Sequence, residues 1–151
     1  MDDLAVAIRE MTIGDYQAVA AVWRLAEGLS LTDDDGEDGI ALYLRRNRGL
    51  CFVATVEREI VGTVLCGHDG RRGILRHLAV LREHRLRGIG RRLVGAAMRA
   101  LEAEGIRKCN IFVMDFNAEG MSYWKHLGFH PLADDYRTLQ TPTHAFTRPR
   151  D

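Results

Sequence analysis

The sequence predicts an α/β fold built on a mixed, mostly antiparallel sheet. Three β-rich runs, residues 51–56, 60–66 and 74–81, follow one another across short turns, the signature of an antiparallel meander. A long amphipathic segment after Gly88 then separates the third run from a fourth at 108–115, and strand–helix–strand implies a parallel crossover. The chain of 151 residues, 46% of them hydrophobic, is the size of one ordinary domain with a core that needs neither disulfide nor metal.

The elements follow in order. Residues 6–9 alternate as a short strand does. Residues 13–25 place Tyr16, Val19, Ala20 and Trp23 at helical spacing. An acidic, glycine-broken loop, residues 31–39, leads to a second helix whose apolar face would use Ile40, Leu42, Tyr43 and Leu44. Residues 47–49 carry turn chemistry, 57–59 close a hairpin, and 67–73 form a second turn. In the helix from Gly88, Ile89, Leu93, Ala97 and Leu101 recur every four residues, widened by Val94 and Met98, and Gly105 suits its C-terminus. Asn117 suits the start of a shorter helix ending near Leu127 and Gly128. Residues 129–132 and 136–139 read as short final strands, and 142–151 as a frayed tail. No repeat or linker interrupts residues 1–151, which read as a single domain.

Charge narrows the function. The 21 basic and 21 acidic side chains cancel, where a nucleic-acid or membrane-surface protein carries an excess of base. No apolar run reaches the roughly 20 residues that span a bilayer, and no signal pattern opens the chain, so a cytoplasmic setting is expected. Cys51, Cys66 and Cys109 form no CxxC pair, and buried hydrophobes fit them better than a metal site or a nucleophile. No metal is expected.

The chemistry concentrates between the third strand and the long helix. A helix N-terminus exposes unpaired N–H groups and partial positive charge, which suit a phosphate or diphosphate. Gly88 and Gly90 leave the backbone open to close approach. Arg82, Arg85, Arg87, Arg91 and Arg92 add a local positive field. The competing reading is an ordinary turn with a solvated arginine face. No Gly-Lys-Ser/Thr follows, and the dinucleotide fingerprint is incomplete, so neither a Walker loop nor a Rossmann site fits.

His77-Leu78-Ala79-Val80 followed by Arg85-x-x-Gly88-x-Gly90 resembles the acetyl-CoA signature of the GNAT superfamily of N-acetyltransferases. Ile8-Arg9-Glu10 with Asp15-Tyr16, Ile60-Val61-Gly62, and Asn117 with Leu127-Gly128-Phe129 resemble its opening, third strand and closing motif. The likeness is nearest to small bacterial members of unassigned substrate that share the loop at 66–73. The resemblance implies a splayed parallel pair of strands at the sheet centre and helices on both faces. It also implies acetyl-CoA, or free coenzyme A, as co-substrate. The pantetheine arm would pair with backbone around Leu78, Ala79 and Val80. The diphosphate would sit on Arg85, Leu86, Arg87, Gly88, Ile89, Gly90 and Arg91. Asn117 would touch the pantetheine arm, and Trp124 would pack along it or the acyl group. Family members are often dimers, and Trp23 or the last strands would serve such a homodimer contact.

Acetyl transfer needs an uncharged amine, a polarised carbonyl and a proton for the departing thiolate. Family members usually attack directly in a ternary complex, and no Ser or Cys with a base beside it argues otherwise. A backbone N–H near Val80 would stabilise the oxyanion. His77 is the base candidate; strand alternation places it on a face with Leu75 and Ala79, and the competing reading is a structural histidine. Asp115 is a second candidate or a helix cap. Many members carry a tyrosine acid seven residues after the asparagine. Here that position is Trp124, and Tyr123, one residue earlier, is turned by about 100° on a helix. That offset points Tyr123 away from the sulfur, and the indole N–H of Trp124 is a poor acid, so the acid role stays open with Tyr123 as its candidate and a non-catalytic acyl-CoA-binding module as the alternative function. The amine acceptor, small molecule or protein N-terminus, is open. Low-pKa amines are favoured, since an α-amino group is neutral about a quarter of the time at pH 7.4 and a lysine about once in a thousand. The acidic loop at 33–38 would draw a cationic acceptor, or is simply solvated with capping aspartates.

Overall fold

The β-rich runs form one five-stranded sheet in sequence order: β1 (Val6–Glu10), β2 (Phe52–Val56), β3 (Glu59–His68), β4 (Arg72–Val80) and β5 (Lys108–Asn110). The computed structural model describes residues 4–132, 137–147 and 149. All neighbouring pairs are antiparallel except β4 and β5, which are parallel. Glu57 and Arg58 close the β2–β3 hairpin at φ 50° and 69°, the geometry whose twist suits a two-residue turn. Strands β3 and β4 extend further than predicted into residues 67–73. Asp69 makes this possible: its Oδ1 accepts from the N–H groups of Arg71 (2.8 Å) and Arg72 (2.9 Å), so a short turn suffices.

Helices cover both faces of β1–β4. On one face, α1 (Tyr16–Leu25) and α2 (Glu37–Arg46) bury Val19, Val22, Trp23 and Ile40 against Met11, Cys51, Val53, Leu65 and Ala79. On the other, α3 (Ile89–Ala103) buries Ile89, Leu93, Val94, Ala97 and Leu101, the stripe its four-residue spacing predicts. Gly73 of β4 lies beneath Leu101. A Cβ there would come within 2.5 Å of the leucine Cδ1, so any larger residue must displace that side chain. Gly105, at φ 82°, follows the end of α3 as expected.

Several expectations are corrected. Leu42 does not join the core: it is exposed, and Ile40 is the buried residue of α2. Trp23 is 1% exposed and cannot serve a dimer contact. The fourth run is a strand only over Lys108–Asn110; residues 111–114 have no ladder partner among the described residues, and Phe112 and Met114 are exposed. Residues 129–132 and 137–139 are not strands, because no neighbouring strand offers them a ladder; Tyr136 lies outside the described residues. Within the expected frayed tail, α5 (His144–Thr147) forms a single turn.

By Cα proximity the chain groups into two units, Met1–Asn117 and Ala118–Asp151. The second holds α4 (Ala118–His126), which ends as predicted at Gly128, φ 104°. The N–H of Phe129 reaches back to the Trp124 carbonyl (3.0 Å), and their rings meet edge to face at 5.1 Å.

Candidate acyl-transfer site

Strand β4 is paired with β5 only from Arg72 to Ile74. Beyond that point β4 continues to Val80, while the chain after Asn110 leaves the ladder. The stretch holding Leu78, Ala79 and Val80 therefore has β3 on one side and no β5 partner on the other. Asn117 ends the departing segment. Its N–H bonds to Met114 O (2.9 Å), and its side-chain Nδ2 lies 3.9 Å from the Cβ position of Gly28, in the loop after α1. Asp115 sits exposed in the turn before it, five residues past the end of β5 and not at a strand end as predicted.

The turn from β4 into α3 is shaped by two left-handed residues, Leu86 (φ 62°) and Gly88 (φ 75°). Gly88 would have nothing within 4 Å of a Cβ, so backbone conformation, not crowding, calls for glycine there. The N–H of Arg92 bonds to Gly88 O (3.1 Å), which leaves the N–H groups of Ile89, Gly90 and Arg91 without intrahelical partners. No side chain caps them, and the first turn of α3 carries no acidic residue.

The arginines divide into two sets. Arg85 Nε donates to Val80 O (3.1 Å), Arg87 to Leu4 O (2.6 Å) and Arg92 to Val6 O (3.0 Å). These three stitch the turn to the end of β4 and to the residues that open β1. Arg82 pairs with Glu27 at 2.8 Å. Arg91 is exposed beside the free amides and makes no ion pair among the described residues. With Ile8, Arg92, Gly95 and Arg99 it borders an open cavity of about 490 Å³ along α3; none of its walls comes from β4 or β5.

His77 does not share a face with Leu75 as alternation predicts. The β3–β4 register shifts between Thr63 and Leu65, opposite Ala79 and Arg76, and His77 lies in that bulge at φ 52°. The extra residue reverses the alternation. The ring lands with Ala79 on the α1–α2 face, edge-on to Trp23 at 4.9 Å. Its Nε2 bonds Asp35 Oδ1 at 2.6 Å, and both side chains are about nine-tenths shielded from solvent. A hydroxyl relay fixes the bulge from below. Trp23 Nε1–H donates to Thr63 Oγ1 (3.0 Å), and that hydroxyl donates to His77 O (2.9 Å). Asp35, Trp23 and Thr63 were not singled out as site residues by sequence. The only signal was the acidic run at 33–38, in which Asp35 is the one aspartate of four that is not exposed.

Tyr123 and Trp124 turn to different surroundings on α4. Tyr123 borders a cavity of about 510 Å³ with Ala118, Glu119, Ser122 and His126, while Trp124 packs on Phe129. Burial pushes the Cys51 and Cys109 thiols up to about 11, and Cys66 is raised also, so all three stay protonated near neutrality.

The Acetyltransferase (GNAT) family model matches residues 15–129. The chain belongs to that family. The acetyltransferase SG1711 of Sodalis glossinidius is 31% identical over 122 residues, 81% of this chain and 85% of that protein. The PaiA N-acetyltransferase of Thermoplasma acidophilum, crystallised with coenzyme A, has the same fold. Its TM-score is 0.78 at 19% identity, covering 87% of this chain and 94% of the other. The ribosomal-protein-S18-alanine N-acetyltransferase of Escherichia coli superposes with TM-score 0.71 at 19% identity, over 85% and 80%. As a GNAT member, this protein is an acetyltransferase that takes its acyl group from acetyl-CoA. Among its described residues no helix is long and apolar enough to cross a membrane.

Proposed function

We propose that this acetyltransferase passes the acetyl group to a primary amine by direct attack in a ternary complex. The observation that carries the reading is the start of α3. Three backbone N–H groups without intrahelical partners lie next to Arg91, and no acid stands in the same turn. That is a site for a diphosphate. The side chains of Arg85 and Arg87 hold the turn in shape, and the backbone from Arg85 to Arg91 does the binding. The β5-side edge of β4 from Leu78 to Val80 takes the pantetheine amides, and Asn117 is a further contact of the arm. A backbone N–H near Val80 polarises the thioester carbonyl.

His77 accepts the proton that the amine must lose. Tyr123 supplies one to the leaving thiolate, and Asp115 is the lesser candidate for either role. Three thiols held protonated support attack by the amine itself over a cysteine acyl-enzyme. The acceptor is a low-pKa amine, such as an α-amino group. The test is release of free thiol from acetyl-CoA against a panel of α-amino acids, N-terminal peptides, polyamines and lysine peptides. Turnover with an α-amino acceptor is expected. Turnover with lysine peptides alone would overturn the acceptor assignment. Binding of coenzyme A with no turnover of any amine would favour a binding module.

A further inference from the structure

We propose that Asp35 is a positioning residue that fixes the tautomer of His77, so that the ring takes its proton through Nδ1. This rests on the reading of His77 as the base. A carboxylate has no proton to donate, so the 2.6 Å bond places the ring N–H on Nε2. A neutral imidazole then carries its lone pair on Nδ1, which makes no hydrogen bond among the described residues. Nδ1 is the atom available to an ammonium acceptor, directly or through water. The proton leaves the acceptor nitrogen for Nδ1, and the resulting imidazolium is held beside the Asp35 carboxylate. The freed amine lone pair then attacks the thioester carbonyl, forming the C–N bond as the C–S bond breaks; the thiolate leaves with the C–S electron pair and takes a proton from Tyr123, which regains one from the acylated nitrogen as the neutral amide forms.

Both partners are fixed independently of each other. Asp35 Oδ2 accepts the Thr32 N–H (2.8 Å), and its carbonyl accepts the Tyr16 hydroxyl (2.9 Å). His77 is fixed by the β4 bulge, the Trp23 ring and the Thr63 hydroxyl. The ring cannot rotate away without losing Asp35 and the edge contact with Trp23, and the carboxylate cannot swing without abandoning Thr32. A chain segment 42 residues away is thereby locked to the strand that holds the acyl donor.

This arrangement makes the isosteric change informative. In Asp35→Asn one oxygen must serve two donors. The Thr32 N–H is backbone and cannot change, so it keeps the oxygen, and the amide NH₂ turns to His77 Nε2. The ring can adapt only by moving its proton to Nδ1. Nitrogen-15 NMR of the histidine ring in mildly alkaline buffer reads this directly. Wild type should show a protonated Nε2 and a bare Nδ1, and Asp35→Asn the reverse. Turnover of Asp35→Asn should fall on the order of tenfold or more in kcat, with KM for acetyl-CoA unchanged, and Asp35→Glu should restore part of it. A wild-type ring protonated on Nδ1, or a tautomer indifferent to Asp35→Asn, overturns the inference. Full activity in His77→Ala would instead sink the base assignment, while the NMR result would still decide the tautomer.

Discussion

Thr63 illustrates how single residues set the geometry of the site. It is fully buried, accepts one hydrogen bond from Trp23 and gives one to His77 O. Thr63→Val keeps the shape and removes both partners, leaving a buried indole N–H and a carbonyl unpaired. The expected cost is about 2–5 kcal/mol, read as a drop in the denaturant midpoint at constant slope. His77→Ala should lower kcat by roughly a hundredfold, measured by thiol release, and also lower the melting temperature, because it leaves the shielded Asp35 carboxylate without its partner. The identity of His77 as a candidate was legible in sequence, but its direction was not. Period-two alternation assumes an unbroken ladder, and the one-residue bulge at 77 parts the side chain from Leu75 while keeping it with Ala79. The arginine cluster was legible as a cluster only. Spacing along the chain does not reveal that three of its members bond to backbone carbonyls.

At the scale of elements, patterned segments were read well and segments defined by their partners were not. The four-residue spacing of Ile89, Leu93, Ala97 and Leu101 marked α3 because its helix buries one face. Residues 111–114 look like a strand by composition, yet a strand exists only where another pairs with it, and β4 and β5 part after three residues. The same parting exposes the edge of β4 to which the pantetheine arm is assigned. The short paired stretch rests on Gly73 beneath Leu101 and beside Cys109. Gly73→Ala should displace the Leu101 side chain from its place against β4 and cost about 1–3 kcal/mol, visible as a lower Tm. Adding Leu101→Ala to Gly73→Ala should cost less than the two single effects summed, because the new methyl then fills part of the space the leucine leaves; simple additivity would contradict the contact.

For the whole molecule, acid tolerance follows from the pair that ties β1 to the turn before α1. The Arg9 guanidinium bonds both oxygens of Asp15 at 2.8 Å and holds that carboxyl below the usual carboxylate range, against the opposing pull of burial. A depressed folded-state value means the contribution is complete above the unfolded value, about pH 4, and fades as pH falls through the folded one. Arg9 is half exposed, so Arg9→Met should lower stability by only about 0.5–1 kcal/mol at pH 7. That difference should vanish in melts taken at roughly pH 2. A deficit that persists there would mean the arginine acts through packing instead. Fold class and crossover were visible in sequence because each depends on local periodicity. The Asp35–His77 lock was not, because it joins residues that only the folded sheet brings together.

The central claim is that the amides opening α3 bind the diphosphate of acetyl-CoA, and Arg91→Glu tests it most directly. An acidic residue in the first turn of a helix favours the helix, so the variant should melt at the wild-type temperature or slightly above. The same charge faces the diphosphate, so calorimetric titration with acetyl-CoA should show one saturable site in wild type, weakened on the order of tenfold or more in the variant. Equal affinity in the two proteins, or no binding by wild type, would contradict the account.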